Sequence, residues 1–395
     1  MTPPRAQARV NLAAIERNCA RLRSELGEGV ALCAVVKADG YGHGAVQSAR
    51  AALTGGASWL AVACAQEASE LRQAGIREPH VLVMGALNSR ELEEALAAGA
   101  DVVVWNESSV QAVAGAGGGR VHVKLDTGMG RLGTRDAEQA SRVLAAAREA
   151  VGVELVGAMT HFATADELDD GGFFEEQLAT FASWVGPIKA AQPDLLVHAA
   201  NSAAMLRDVG AHFDMVRCGI AVYGMDPFGE DPDARELEPA MELSSYVAEV
   251  KRCRAGESAG YGRRFVAEED TWLGVLPIGY GDGWRRGLSN NAEVLIGGRR
   301  HELVGTVSMD NITVDLGADP GAELLRGRRA VLIGSQADER ITAEEVAGRL
   351  DTINYEVSCA LTPRVPRAYH RDGAPLRPDG NRRGADARAV DVRTA

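Results

Sequence analysis

Ala31-Leu32-Cys33-Ala34-Val35-Val36-Lys37-Ala38-Asp39-Gly40-Tyr41-Gly42-His43-Gly44 is an unbroken apolar run that ends on a lysine and passes at once into a glycine-rich turn. An apolar strand with no alternation is the pattern of a parallel sheet covered on both faces, and the glycines that follow let backbone approach a ligand closely. A lone lysine at the mouth of such a strand is partly desolvated on a rigid support. That is the setting in which a lysine amine loses basicity and serves as a Schiff-base nucleophile.

Working outward, Leu12, Ile15, Cys19, Leu22 and Leu26 recur at helical spacing and stop at Gly27. Further short apolar runs begin near Trp59, Val81, Val102, Val121, Leu155, Leu195 and Met215, most of them separated by amphipathic Ala- and Glu-rich stretches. With the run at Ala31 they make eight strands alternating with helices, an α/β pattern that favours a closed (β/α)8 TIM barrel over an open sheet. From Pro239 the character changes to glycine-punctuated strands: Tyr246 to Val250, Trp272 to Pro277, Ala292 to Ile296, Glu302 to Val307, Ile312 to Leu316 and Ala330 to Ile333. A Thr-Ala-Glu-Glu capping box at Thr342 starts a helix that runs to about Leu350. The expected organisation is a barrel over residues 8–230, a linker from Asp226 to Glu238, a mainly β domain over 239–370, and a mobile Arg-, Asp- and Gly-rich tail over 371–395.

Composition narrows the function. A length of 395 residues accommodates two cores, and a formal net charge of −13 argues against nucleic acid and anionic membrane as partners. The six cysteines are scattered, without the spacing of a metal knuckle or redox dithiol. The opening Met-Thr-Pro-Pro-Arg-Ala-Gln has no apolar core of a signal peptide and no stretch reaches the length of a spanning helix, so a cytoplasmic protein with a small-molecule partner is expected.

Barrel active sites form at the carboxyl ends of the strands, and the unusual polar residues fall there: Lys37 after the first strand, Lys124 and Asp126 at the fifth, His161 after the sixth, Asn201 and Ser202 after the seventh, Arg217 ending the eighth. Taken singly, His161 reads as a core histidine, Lys124 with Asp126 as an ion pair, and Arg217 as a helix-side cation. Their convergence on one rim favours a site. Gly219 and Ile220, just past Arg217, offer backbone N–H groups to an anion beside the Ser202 hydroxyl, in the loops where barrels often hold phosphate. A phosphate cradle joined to a Schiff-base lysine suggests pyridoxal phosphate; without Lys37, Gly219 reads as a tight turn.

The segments Ala34–Gly44, Val123–Gly133, Thr160–Asp166, Asn201–Ala204, Val216–Gly224, Ile278–Gly283, Ser308–Asp310 and Ile353–Val357 together resemble the bacterial alanine racemases, and the resemblance runs from about Ala8 to Tyr369. It implies a pyridoxal 5'-phosphate enzyme that interconverts L- and D-alanine and supplies D-alanine for peptidoglycan. Lys37 matches the aldimine lysine and one catalytic base, and Tyr261 the second base, which works in the partner's barrel of a homodimer with shared active sites. Tyr41, Ser202, Gly219, Ile220 and Tyr355 match the phosphate contacts, with Asn201 beside them in the same motif. Arg217 matches the partner of the pyridine nitrogen and His161 the network behind the cofactor. Arg131 and Met309 match the substrate-carboxylate site, and Lys124 a lysine that is carbamylated in many members. No metal is implied.

The departures are Asp39 and Gly40 for a usual Asn-Ala, Gly260 for serine, Ser308 for cysteine and Asn354 for proline. They bear on turnover and substrate preference rather than on reaction type. Rival readings are a racemase of broader scope, a decarboxylase of the same two-domain class, and a non-catalytic carrier on a lone barrel, which would need no second base.

Overall fold

The computed structural model of the protein describes residues 4–376. Eight parallel strands close into a barrel: Ala31–Val35, Trp59–Val62, His80–Val83, Asp101–Val104, Gly119–Lys124, Val153–Met159, Leu196–His198 and Met215–Cys218. Each lies where an apolar run placed it. Leu32, Cys33 and Ala34 are all fully buried, one face toward the barrel interior and the other toward the helical ring, which is why the run shows no alternation. Closure pairs the first strand with the last, Ala31 opposite Met215 and Cys33 opposite Arg217.

The second part is mainly β. Its large sheet runs Arg299–Glu302, Glu293–Ile296, Arg329–Gln336, Met241–Tyr246, Ala6–Asn11, Arg367–Arg371 and Ala374–Pro375, and a smaller sheet joins Glu249–Cys253, Thr271–Leu276 and Ile312–Gly317. Ala6–Asn11 therefore sits in this sheet and not in the barrel region where its position in the chain had put it. Ala6, Ala8 and Val10 are buried and the residues between them are not, the alternation of a strand with one covered face.

Other expectations need correction. The strand expected over Tyr246 to Val250 is broken, because Val247 N bonds Arg328 O and Ala248 N bonds Val275 O; the chain crosses there from one sheet to the other. Of the run from Glu302 to Val307, Glu302 ends the strand Arg299–Glu302 and Leu303 keeps a single bridge to Val314; beyond them Gly305 takes a positive φ of 78° and Val307 N turns to Ser289 Oγ at 3.0 Å. Thr342 does cap the helix Ala343–Arg349, accepting from Glu345 N, but the Glu345 carboxylate pairs with Arg300 and Arg349 instead of reaching back. The stretch from Asp226 is not an open linker. Buried Asp226 accepts from Phe228 N at 2.7 Å and Glu230 N at 3.2 Å and pairs with Arg235 at 2.7 Å. The expected tail begins too early, because Arg371 forms a two-point ion pair with Glu16 at 2.5 Å and Asp372 pairs with Arg17 at 2.8 Å. Residues 377–395, the remainder of that tail, lie outside the described residues.

Two contacts set the second part against the barrel mouth. Helix Asn354–Cys359 packs on the Lys37 turn so closely that a Cβ on Gly42 would lie 2.2 Å from Ser358 O. Arg367 clasps Gly42 O at 2.9 Å with Nε and Leu361 O at 2.8 Å with Nη2. Among the described residues no helix is long and apolar enough to cross a membrane.

Asn18, buried on the first helix, anchors the stretch entering the second domain: its Nδ2 donates to Glu238 O at 2.9 Å and Val222 O at 3.3 Å, and its Oδ1 accepts from Glu238 N at 2.8 Å. Asn18→Leu strands these backbone groups, at about 1–3 kcal/mol for each one left buried and unpaired. Thermal denaturation is expected to show a clearly lowered midpoint, with Asn18→Asp in between; an unchanged midpoint in the leucine variant would mean the anchor contributes nothing.

Candidate active site

The lysine turn is built from unusual backbone. Ala38, Asp39, Gly40 and Tyr41 have φ of 52°, 52°, 60° and 52°, a left-handed run that costs about 1–2 kcal/mol for each residue with a Cβ. Side chains hold it. The Glu67 carboxylate accepts from Ala38 N at 2.6 Å and Ala63 N at 2.7 Å, and Asp39 Oδ1 accepts from Ala45 N at 2.9 Å. Asp39 and Gly40 suit this geometry, an aspartate tolerating the left-handed region and a glycine being indifferent to it. Strain of this kind concentrates at functional sites.

Lys37 opens the turn, partly buried, its Nζ 6.0 Å from the centre of the Tyr41 ring. It has no hydrogen-bond or ion-pair partner among the described residues. Burial first, and the nearby Arg131 charge second, hold its amine below the usual lysine range. Tyr41 is buried against Tyr223 at 5.2 Å and Tyr355 at 5.9 Å between ring centres, so a residue of the second domain joins the barrel rim. The Tyr41 hydroxyl fills the space at Gly219, where a Cβ would lie 2.3 Å from it. Gly219 is thus required by a close approach and not by a positive φ.

The loops after the seventh and eighth strands meet at Ser202 Oγ, which accepts from Gly219 N at 3.0 Å and Ala221 N at 3.4 Å. Ile220 lies between them, starting the turn Ile220–Tyr223. Asn201 caps the short helix that begins at Ser202, accepting from Ala204 N at 2.9 Å, so it aims the serine. These backbone N–H groups and the serine hydroxyl cluster beside Tyr41.

Below this cluster lies Arg217, 2% exposed. Its guanidinium donates to Thr160 O at 2.9 Å, Ala199 O at 2.8 Å, His198 Nδ1 at 2.7 Å and His161 Nδ1 at 3.2 Å. Burial pushes it down to about 10, so it stays charged at neutral pH. His161 is held well below the usual histidine range by burial and then by Arg217. Behind His198 the contacts continue: His198 Nε2 lies 2.9 Å from His122 Nδ1, and His122 Nε2 lies 3.2 Å from Asp101 Oδ2. Sequence reasoning missed Asp101, His122 and His198. A signal was present in Gly119–Lys124, where His122 and Lys124 are two apart and share a face.

Lys124, 4% exposed, has no partner among the described residues; burial, then Arg217 and Arg131, push it down to about 8. The ion pair with Asp126 does not form. Asp126 instead accepts from Gly128 N at 3.1 Å and Gly130 N at 3.0 Å and meets Arg135 at 3.4 Å, shaping the loop that carries Arg131. Exposed Arg131 acts on Lys37, Lys124, His161 and Arg217 alike.

Two expected residues are not brought to this rim. Tyr261 is 75% exposed and Met309 52% exposed, and neither touches the barrel residues through a hydrogen bond or ring contact among the described residues. Met309 O accepts from Gly281 N at 2.9 Å, and Tyr261 O accepts from Thr306 Oγ1 at 2.7 Å. Asn354 does what a proline could not, its Nδ2 donating to Asp226 O at 2.7 Å and Glu344 Oε1 at 2.8 Å. Ser308 closes its own turn on Asn311.

The depressed Lys124 amine has a measurable consequence. Between pH about 8 and the ordinary lysine value of 10.5 the unfolded chain binds the extra proton, so stability rises with pH across that window and the full penalty applies below it. In bicarbonate-free buffer Lys124→Met is expected to stabilise the protein at pH 7 by on the order of 3 kcal/mol. The gain should fade toward pH 10.5; denaturation curves showing no gain would mean the amine is not penalised.

Comparisons with known proteins place this geometry. Residues 10–227 match the family model for the alanine racemase N-terminal domain and residues 240–369 that for the C-terminal domain. The chain is 41% identical over 375 residues to alanine racemase 1 of Bacillus subtilis (strain 168), covering 93% of each. It is 42% identical over 375 residues to the alanine racemase of Geobacillus stearothermophilus, covering 92% of this chain and 93% of that one. The crystal structure of alanine racemase from D-cycloserine producing Streptomyces lavendulae superposes with a TM-score of 0.88 at 37% identity, covering 94% of this chain and 98% of that chain. Matched in sequence and in fold through both of its parts, the chain belongs to the alanine racemase family of isomerases.

Proposed function

We propose that the protein interconverts L- and D-alanine with pyridoxal 5'-phosphate, in a cytoplasmic homodimer whose sites are each built from two chains, and that the D-alanine feeds peptidoglycan. The observation that carries this reading is the unpartnered Lys37 amine, held below the usual lysine range first by burial, at the mouth of a barrel whose adjoining loops bring Ser202 and Gly219 together. The residues fit the cofactor: Ser202, Gly219, Ile220, Tyr41 and Tyr355 would hold its phosphate, with Asn201 aiming the serine. Arg217 would face its pyridine nitrogen and Lys37 its carbonyl carbon. Once bound, pyridoxal phosphate supplies an electron sink for negative charge developing at the substrate α-carbon.

The rest falls to the chain's own groups. Lys37 exchanges a proton on one face of the α-carbon and Tyr261 on the other, since inversion needs two opposed bases. A tyrosine with an unperturbed value of about 10 needs positive charge nearby to act at neutral pH. His161 can relay the influence of Arg217: its Nδ1 is taken by the guanidinium, which leaves Nε2 to meet the phenol. A guanidinium does not readily release a proton, so Arg217 would hold the pyridine nitrogen without protonating it, which would limit side reactions. Arg131 and the Met309 backbone would hold the substrate carboxylate. The Lys124 amine, close to neutral pH in its titration, is suited to form a carbamate that gives Arg131 an anionic partner.

Support for a shared site comes from exposure: Tyr261 and Met309, 75% and 52% exposed, make no hydrogen bond to their own barrel among the described residues. Relatives in the family include a Bacillus anthracis alanine racemase solved with bound L-Ala-P, 35% identical at a TM-score of 0.85.

The purified protein loaded with pyridoxal phosphate is expected to form D-alanine from L-alanine, read by chiral chromatography, and to act far less on serine, lysine or arginine. Borohydride treatment should leave a pyridoxyl group on Lys37; peptide mass spectrometry finding it on another lysine or on none would remove Lys37 from this role.

Lys37→Ala and Tyr261→Phe should each be inactive, yet complement when mixed. In a two-fold dimer each mixed pair has one site with both lesions and one with neither. Random exchange of equal amounts therefore restores about a quarter of all sites. Verified exchange without recovered activity would reject the shared site.

A further inference from the structure

Arg217 is a buried cation with no carboxylate within ion-pair distance among the described residues. A charge in that position is strongly unfavourable unless something compensates it. Its carbonyl contacts orient it but carry no net charge. A formal negative charge lies deeper in the barrel, at Asp101, fully buried and reached through two fully buried imidazoles. We propose that Asp101, acting through His122 and His198, is the remote counter-charge of Arg217 and a positioning residue for its guanidinium.

The direction of the chain follows from its ends. A guanidinium only donates, so His198 Nδ1, 2.7 Å from Arg217, must be a bare acceptor. The His198 proton is then on Nε2, 2.9 Å from His122 Nδ1, which must in turn be bare. The His122 proton is left on Nε2 and points at the acceptor-only Asp101 carboxylate at 3.2 Å. A donor at one end and an acceptor at the other thus over-determine both tautomers. Protonating either ring would put two donors face to face and add a second buried cation, and burial keeps both histidines below their usual range.

Other groups face this chain. Arg120 Nε lies 3.1 Å from Asp101, its Nη1 reaches Glu154 at 2.5 Å, and His80 Nδ1 is 3.8 Å from Asp101. Lys124 lies near enough to His198 to disfavour its charged form. Space for the inner ring is provided by the neighbouring strand, because a Cβ on Gly157 would lie 2.5 Å from His122 Nδ1. Trp59 covers that ring edge-on at 5.8 Å. The chain is therefore sealed from solvent, where a carboxylate can act through hydrogen bonds at low screening. The inferred effect on turnover rests on the reading of Arg217 as the partner of the cofactor ring; the tautomers do not.

The test begins with the wild-type holoenzyme labelled with ¹⁵N in histidine. Long-range proton–nitrogen NMR is expected to show His122 and His198 neutral, protonated on Nε2, and unchanged from about pH 6 to 9. Either ring in the other tautomer, or titrating in that range, overturns the proposal whether or not any variant folds. An enzyme without racemase activity that still shows these tautomers would fail the functional reading and leave the chain standing. Among variants, Asp101→Asn and His122→Leu should lower kcat on the order of 10–100-fold with little change in KM, and should shift the cofactor absorption band. His122→Gln accepts from one neighbour and donates to the other, so it should recover most of the activity. A leucine that serves as well as glutamine would reduce His122 to a packing role and overturn the proposal.

Discussion

A left-handed backbone turn is the constraint on which the site depends. Ala38 to Tyr41 would not hold their positive φ in isolation, and what holds them is drawn from distant parts of the chain. Glu67, on the helix after the second barrel strand, ties Ala38 N to Ala63 N. The second domain presses Ser358 O against Gly42 and clasps Gly42 O with Arg367. The turn places Lys37 at the mouth and folds Tyr41 back under it toward Gly219, so the position of the amine and the shape of the cradle share one strained segment. Gly42 leaves no room for a side chain because a second domain rests on it.

Positive charge is the second organising feature. Lys37, Lys124, Arg131 and Arg217 lie near one another; burial lowers the basicity of Lys37, Lys124 and Arg217, and Arg131 adds to the effect at each. Both lysine amines fall below the usual lysine range, while the Arg217 guanidinium stays charged at neutral pH. The result is a cationic mouth with amines of lowered basicity, a setting suited to anionic groups. The acidic groups nearest to it are engaged by backbone: Glu67 by Ala38 N and Ala63 N, and Asp126 by its own loop.

Much of the barrel was legible in the sequence, and for one reason. Parallel strands buried on both faces must be apolar throughout, so each run announced its strand and the residue that ended it. Lys37, Lys124, His161, Ser202 and Arg217 could be assigned to one rim without coordinates, because strand ends in a barrel share an edge. The antiparallel domain was less legible. A strand with one covered face needs only alternate apolar residues, and Ala-Gln-Ala-Arg-Val-Asn at residues 6–11 gives too little contrast to reveal its place in the large sheet. Charged residues near Arg371 read as solvated until their partners, Glu16 and Arg17, are brought beside them.

By itself, then, the sequence determined the barrel, the strand-end residues and their family pattern, since these depend on short-range periodicity and order along the chain. Tertiary structure alone decided what those residues face. Whether Lys124 pairs with Asp126 or stands unpaired, whether Asn354 is a spacer or a donor, and how Arg217 is joined to Asp101 through His198 and His122 are all contacts between segments far apart in sequence. Such contacts depend on angle and on distances of a few tenths of an ångström. Those distances exist only once the strands have closed around one axis.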